Sequence, residues 1–226
     1  MHNRKEYMKN INRLIGGGVL ATFVVVSSAV AKDGVYVGVG IGSAGMGESE
    51  TKYTDRVWAG QDTTIEYKAG LSTSFLVGYK ISSFRADVEI FSHSNDFGKA
   101  SQAQTGREWA NTTGESSAST LLISGYYDFK VKNPKFTPYI GAGVGSTTFK
   151  YTEKISNNTL TKDDEKVSSF AITGGLDYAI NDKLSIGGAY RLINYGDIKI
   201  KDIDNDEVTI STDMSSAFIF SAKYRF

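Results

Sequence analysis

The chain has 226 residues, with 25 Lys and Arg balanced by 25 Asp and Glu, 24 Gly, 2 Pro and no Cys. Balanced charge without a basic arm excludes a dedicated nucleic-acid binder, and the missing cysteine excludes disulfide scaffolds, cysteine-ligated zinc and thiol catalysis. Hydrophobic residues at 40%, rich in Tyr (13) and Phe (12), and a mean hydropathy of -0.24 exclude a bundle of membrane helices but leave room for a closed sheet with one apolar face.

The amino terminus carries Arg4, Lys5, Lys9 and Arg13, then the apolar run Leu14 to Val26, then Ala29-Val30-Ala31. Basic flank, short apolar run and small-x-small site make a secretory signal peptide over residues 1–31, with Met8 as a second candidate start. The run is 13 residues long and holds Gly16, Gly17 and Gly18, whereas a spanning helix needs roughly 20 apolar residues. The mature chain is therefore expected to be exported and to run from 32 to 226, mildly acidic once the leader is gone.

From there period-two alternation recurs to the end, in eight runs. Gly34 to Gly42 sets Val35, Val37, Val39 and Ile41 against Tyr36 and glycines. Ala69 to Ile81 sets Leu71, Phe75, Val77 and Tyr79 against Ser72, Ser74, Gly78 and Lys80. Phe84 to Ser92 sets Phe84, Ala86, Val88 and Ile90 against Arg85, Asp87 and Glu89. Ser117 to Phe129 sets Leu121, Ile123, Tyr127 and Phe129 against Ser124, Tyr126 and Asp128, and Pro138 to Thr148 sets Ile140, Ala142 and Val144 against three glycines. Val167 to Ile180 sets Phe170, Ile172, Leu176 and Tyr178 against Ser169, Ala171, Thr173 and Asp177. The seventh sets Leu184, Ile186, Tyr190 and Leu192 against Ser185, Gly187, Ala189 and Arg191. The last places Phe218, Phe220, Ala222, Tyr224 and Phe226 opposite Ala217, Ile219, Ser221, Lys223 and Arg225.

The connections alternate: long at 43–68, 93–116, 149–166 and 193–216, short at Ser82-Ser83, Lys130 to Thr137 and Asn181 to Lys183. That rhythm is an up-and-down meander with every short turn at one end. Runs of about 9 to 13 residues suit tilted strands crossing a bilayer and exceed the 5 or 6 usual in soluble sheets. Hydrocarbon supplies no hydrogen bonds, so such a sheet must close. One face is Val, Ile, Leu, Phe and Tyr, and the other is Gly, Ser, Thr, Ala and scattered charge, too small and polar for a dry core. The expected fold is all-β: an eight-stranded antiparallel up-and-down transmembrane β-barrel. Tyr79, Phe84, Tyr127, Phe129, Tyr139, Tyr178, Tyr224 and Phe226 gather near the short turns as an expected interfacial girdle.

The residues Gly34-Val-Tyr-Val-Gly-Val-Gly-Ile-Gly42, Tyr126-Tyr-Asp-Phe129, Thr137-Pro-Tyr-Ile-Gly-Ala-Gly-Val-Gly145, Ala189-Tyr-Arg191 with Tyr195-Gly196, and Tyr224-Arg-Phe226 stand in the order and spacing of the small outer-membrane β-barrels. From Gly34 to Phe226 the chain resembles the opacity-protein, OmpX and OmpA-transmembrane-domain type. The resemblance implies outer-membrane localisation among lipids and lipopolysaccharide. It also implies assembly by the outer-membrane machinery through a carboxy-terminal signal at Phe218, Phe220, Tyr224 and Phe226, and adhesion to host or neighbouring cells through the loops. The resemblance covers the barrel alone, so a cell-wall anchoring role is not expected from it.

With apolar faces outward, Lys80, Arg85, Asp87, Glu89, Asp128, Asp177, Arg191, Lys223 and Arg225 point into a lumen just wide enough for side chains, where opposite charges are expected to pair and plug the axis. The alternative is a small porin or carrier. A lipid-modifying enzyme would have to use His93, the one histidine of the mature chain, within Ser92-His-Ser-Asn-Asp96. Neighbours on a strand face opposite ways, so that stretch forms no triad by itself. Asp202, Asp204, Asp206 and Glu207 have a calcium-like spacing without its glycine, while Ile198, Ile200, Val208 and Ile210 alternate around them as a hairpin would. Trp58 and Trp109, both in long links, are the candidate interaction anchors. The expected role is envelope-structural and adhesive, with no cofactor and no metal.

Overall fold

Alternation of this kind demands one face in hydrocarbon and one turned to a shared axis, and the backbone meets the demand by closing on itself. The computed structural model describes residues 33–52, 62–102, 105–108, 112–155, 158–201 and 207–226. They form β1 (Gly34–Gly45), β2 (Ser49–Lys52), β3 (Thr63–Tyr67), β4 (Gly70–Ile81), β5 (Phe84–Gln102), β6 (Thr112–Asp128), β7 (Phe136–Ile155), β8 (Asn158–Ala179), β9 (Leu184–Asn194), β10 (Asp197–Lys201), β11 (Glu207–Thr212) and β12 (Ser215–Arg225). Eight of them, β1, β4, β5, β6, β7, β8, β9 and β12, pair antiparallel in that order. The ring closes between the first strand and the last, with Tyr36 opposite Arg225 and Gly45 opposite Ser216. The predicted leader at 1–31, Trp58, Trp109 and the acidic stretch 202–206 lie outside the described residues.

Strand polarity is that of a membrane barrel. Phe220 is 68% exposed and Ile123 62%, whereas inward-facing Phe91 and Leu122 are fully buried. From Leu121 to Phe129 the outward apolar positions cover about 26 Å of strand, or about 20 Å of bilayer at a tilt near 40°, close to the apolar band of such barrels. Rings pair around the short-turn rim: Phe84 with Tyr127 at 5.3 Å, Phe136 with Tyr178 at 5.1 Å and Tyr224 with Phe226 at 5.2 Å. Tyr190 and Phe218, at 5.2 Å, mark the other edge of the band. One outward position further on, the residues become Ser43, Ser92, Ser119, Ser146, Ser168, Asn194 and Ser216, with the Ser92 and Ser119 hydroxyls 3.0 Å apart. Hydrocarbon gives way to a polar layer at that ring.

Two expectations need correction. Among their described residues, the links at 43–68, 93–116, 149–166 and 193–216 are largely strand: β5 to β8 run 19, 17, 20 and 22 residues, and their ladders continue far past the apolar band, as in Glu115 opposite Thr152 and Tyr151 opposite Asp163. Alternation signals a strand only where its two faces meet different solvents, so Asn158 to Lys166, polar apart from Leu160, carries no period. The hairpin around Ile198 and Ile210 does form, but it leaves the barrel wall at Gly196, whose φ of +64° suits glycine, and joins β2 instead of simply prolonging its neighbours. The result is a second sheet, β10-β11-β2-β3-β5, rooted in the barrel through β5.

Tyr139 is the other correction. It is 7% exposed and faces the lumen, not the girdle, because it has the same parity as the inward glycines of β7.

Lipid solvation of the band predicts that Ile123→Arg, a change at an exposed position, destabilises the barrel by about 2–4 kcal/mol in lipid vesicles, measured by urea unfolding. The same substitution at Ser146, beyond the band, is expected to cost under about 1 kcal/mol.

Candidate functional site in the barrel interior

The inward face of each strand places one or two polar side chains per level, and the short-turn end is the charged end. Asp128 of β6 and Asp177 of β8 are its two acceptors. Asp128 takes Lys80 of β4 and lies 2.8 Å from Arg85 Nε. Asp177 accepts from Arg85 at 3.2 Å and from Lys223 of β12 at 2.8 and 2.9 Å. Arg85 and Lys223 both stand over the Tyr139 ring, 4.5 and 4.8 Å from its centroid. Arg225 lines the open mouth below, with Lys183 from the last short turn.

A second level holds Glu89 and Arg191, paired at 2.6 Å, with Arg191 Nε donating to Thr173 Oγ1 at 3.0 Å and the guanidinium 5.1 Å from the Phe91 ring. Asp87 accepts from the Tyr36 hydroxyl at 2.9 Å. Eight of the nine residues expected inside thus stand in the interior with a polar partner, and Arg225 stands at its mouth.

Three inward tyrosines missing from that set complete the charged half. Tyr36 lies over Gly78, Tyr126 over Gly141 and Tyr139 over Gly175, each the direct cross-strand partner, so a Cβ at any of the three glycines would strike the ring. Large ring on one strand and bare backbone on the next is how a narrow barrel fills its bore, and the glycines of Thr137 to Gly145 were the sequence signal for it.

Towards the long-loop end the lumen turns apolar. Phe91, Leu122, Phe149, Ile193, Tyr195 and Ile219 belong to one cluster, and none of these six exceeds 5% exposure. This overturns the expectation that the inner face is too small and polar for a dry core. Phe149, Ile193 and Tyr195 lie in segments read as links, and Phe91, Leu122 and Ile219 are large residues interrupting an otherwise small inner face.

His93 belongs to this upper level. Asn95 Nδ2 donates to the carbonyls of Ala44 and Lys68, both at 2.8 Å, which turns its Oδ1 to His93 Nδ1 at 2.6 Å. Nδ1 therefore carries the proton and Nε2 accepts from the Tyr195 hydroxyl at 2.8 Å. Ser92 and Ser94 point the other way and bond to Ser119 and Ser117 on the outer face. The imidazole has both nitrogens engaged and no serine within its bonds. It ties the base of the outer sheet to the barrel.

Phe218, Phe220 and Tyr224 are 60, 68 and 40% exposed on the outward face of β12, and Phe226, just past its end, is 50% exposed.

A family model described as the outer membrane protein beta-barrel domain matches residues 18–226. The chain is 38% identical over 90 residues to outer membrane protein PagN of Salmonella typhimurium, a match spanning 36% of this chain and 36% of that protein's length. Among solved structures it is similar to the outer membrane protein OprG of Pseudomonas aeruginosa, with TM-score 0.59, 17% identity and coverage of 86% of this chain and 98% of that one. It is likewise similar to Neisserial surface protein A, with TM-score 0.54, 14% identity and coverage of 87% and 100%. The outer membrane protease OmpT of Escherichia coli has the fold at TM-score 0.50, 8% identity and coverage of 88% and 100%. The architecture alone is thus compatible with catalysis, and site chemistry has to discriminate.

Buried pairing predicts that Arg191→Met, which strands Glu89, costs about 3–5 kcal/mol in urea unfolding from vesicles, and that adding Glu89→Met recovers most of the loss.

Proposed function

The chain belongs to the outer-membrane β-barrel family and is an outer-membrane protein, and from that premise we propose that it is a non-enzymatic barrel that serves the envelope and presents an adhesive surface to the outside. The observation that carries this reading is the continuation of β5 to β8 beyond the apolar band, widened by β2, β3, β10 and β11 into a folded outer sheet. From Ser168 to Asn158 that wall extends about 30 Å along the strand. Loops carried on a rigid scaffold are where recognition is normally placed, and here the scaffold itself is raised above the membrane. Trp58, between β2 and β3 in the sequence, and Trp109, between β5 and β6, are the proposed anchors for a ligand on host or neighbouring cells.

Site chemistry supports the non-enzymatic part. The one histidine of the mature chain is spent on Asn95 and Tyr195, and Lys80, Arg85, Glu89, Asp128, Asp177, Arg191 and Lys223 are spent on each other. Beneath the outer sheet the apolar cluster crosses the axis with side chains that reach almost no solvent, which favours a closed lumen over a small porin or carrier. The apolar belt is the surface for lipid, the hydroxyl ring above it for lipopolysaccharide, and the outward aromatics of β12 are the feature offered to the assembly machinery.

The test is adherence of non-adherent bacteria displaying the chain to cultured epithelial cells. Replacing 198–210 with a short Gly-Ser linker is expected to reduce adherence to that of the vector control while the boiled and unboiled protein still migrate differently. Unchanged adherence together with sustained conductance steps in planar bilayers would establish the porin reading instead.

A further inference from the structure

The three short turns differ in charge. Ser82-Ser83 has none, Asn181-Asp182-Lys183 balances one acid with one base, and the turn from β6 to β7 carries Lys130, Lys132 and Lys135 with no acid. Every residue from Phe129 to Phe136 is exposed, and none of the three ammonium groups has an ion-pair partner among the described residues. The nearest acid in sequence, Asp128, faces inward and is taken by Lys80 and Arg85. By strand order β6 and β7 stand across the ring from the seam of β1 and β12, where Asp33 precedes β1 and accepts from the Ser82 amide at 2.6 Å. The short-turn rim is therefore electrically lopsided.

Backbone bonds fix the shape of this turn. Phe129 N donates to Pro138 O at 2.8 Å, Phe136 N to Asn133 O and Lys135 N to Asn133 Oδ1, both at 3.1 Å, and Ala179 N to Lys135 O at 2.8 Å. Apolar side chains are interleaved with the lysines: Phe129 is 46% exposed, Val131 44% and Phe136 39%. Phe129 and Phe136 each pair with another ring of the girdle, Tyr127 and Tyr178, both at 5.1 Å, so the turn begins and ends where hydrocarbon gives way to headgroups.

We propose that this turn is a docking surface for anionic phospholipid in the periplasmic leaflet, the side that the short turns of outer-membrane barrels face. A water-borne anion would meet the lysines but leave Val131 bare. A leaflet surface takes up both kinds of side chain at once, with apolar groups at the acyl boundary and ammonium groups among the phosphates. A zwitterionic headgroup brings its own cation and leaves the lysines unneutralised, whereas phosphatidylglycerol brings a net negative charge. The surface is independent of the adhesive role, because it lies at the opposite end of the barrel from the outer sheet.

The test is lipid-selective quenching. The full chain carrying Trp58→Phe, Trp109→Phe and Val131→Trp is refolded into phosphatidylcholine vesicles that contain rising shares of brominated phosphatidylglycerol or, in a parallel arm, brominated phosphatidylcholine. Phosphatidylglycerol is expected to be favoured about fivefold, the contribution of one fully engaged lysine, and to lose that advantage as added sodium chloride screens it. Combining Lys130→Gln, Lys132→Gln and Lys135→Gln is expected to bring the ratio to about one, while Lys166→Gln at the far end leaves it unchanged. Should the combined variant fail to fold, Lys132→Gln alone is expected to lower the preference about twofold. Equal quenching by the two lipids, or a preference that survives loss of the lysines, would overturn the docking surface. Quenching by neither lipid would place the turn in water and overturn it in favour of a soluble partner.

Discussion

A bilayer interior neither donates nor accepts a hydrogen bond, and most of this molecule follows from that deprivation. Every amide and carbonyl crossing the membrane needs a partner strand, so the eight crossing strands have no edge, and β1 meets β12 over ten residue pairs. The same solvent draws the large side chains outward and leaves the bore to whatever is small, charged or able to lie flat. Groups such as Arg191 and Glu89, costly to bury singly, are tolerable there because each finds the other at 2.6 Å.

The bore is divided by chemistry. Near the short turns, acids and bases share the space with tyrosines seated on glycines; near the outer sheet, Phe91, Leu122, Phe149 and Tyr195 close it with apolar contact. These halves do different work. Ion pairs set how the lower strands sit against one another, while the upper cluster, with His93 and Asn95 bridging to Ala44 and Lys68, anchors the folded wall outside the membrane.

Legibility in the sequence tracked the contrast between the two faces of each strand. Where lipid lies on one side and the lumen on the other, as from Phe84 to Ile90, parity gave strand, direction and the inward charges together. Past Ser92, Ser119 and Ser168 the outer face is polar as well, so the compositional contrast between the faces fades even where the inner face stays buried at His93, Asn95 and Phe149, and strands that continue for ten residues read as loops. Tyr139 was misread for a different reason. Aromatic residues near a turn suit a girdle and a lumen equally well, and only its step from Gly141 and its seat on Gly175 decide the matter. The upper cluster was invisible because its members come from six different strands and loop bases, each contributing one large residue to an otherwise small face.

The outer sheet shares β5 with the barrel, and β6, β7 and β8 pass through both regions without a break. A tether pulling on the exposed rim would therefore draw along the strands, setting their ladders in shear, where many hydrogen bonds resist at once, instead of unzipping them singly. A cell held by this protein against flowing liquid would be moored by continuous cables sunk through the membrane, and drag would reach the bilayer before the attachment gave way.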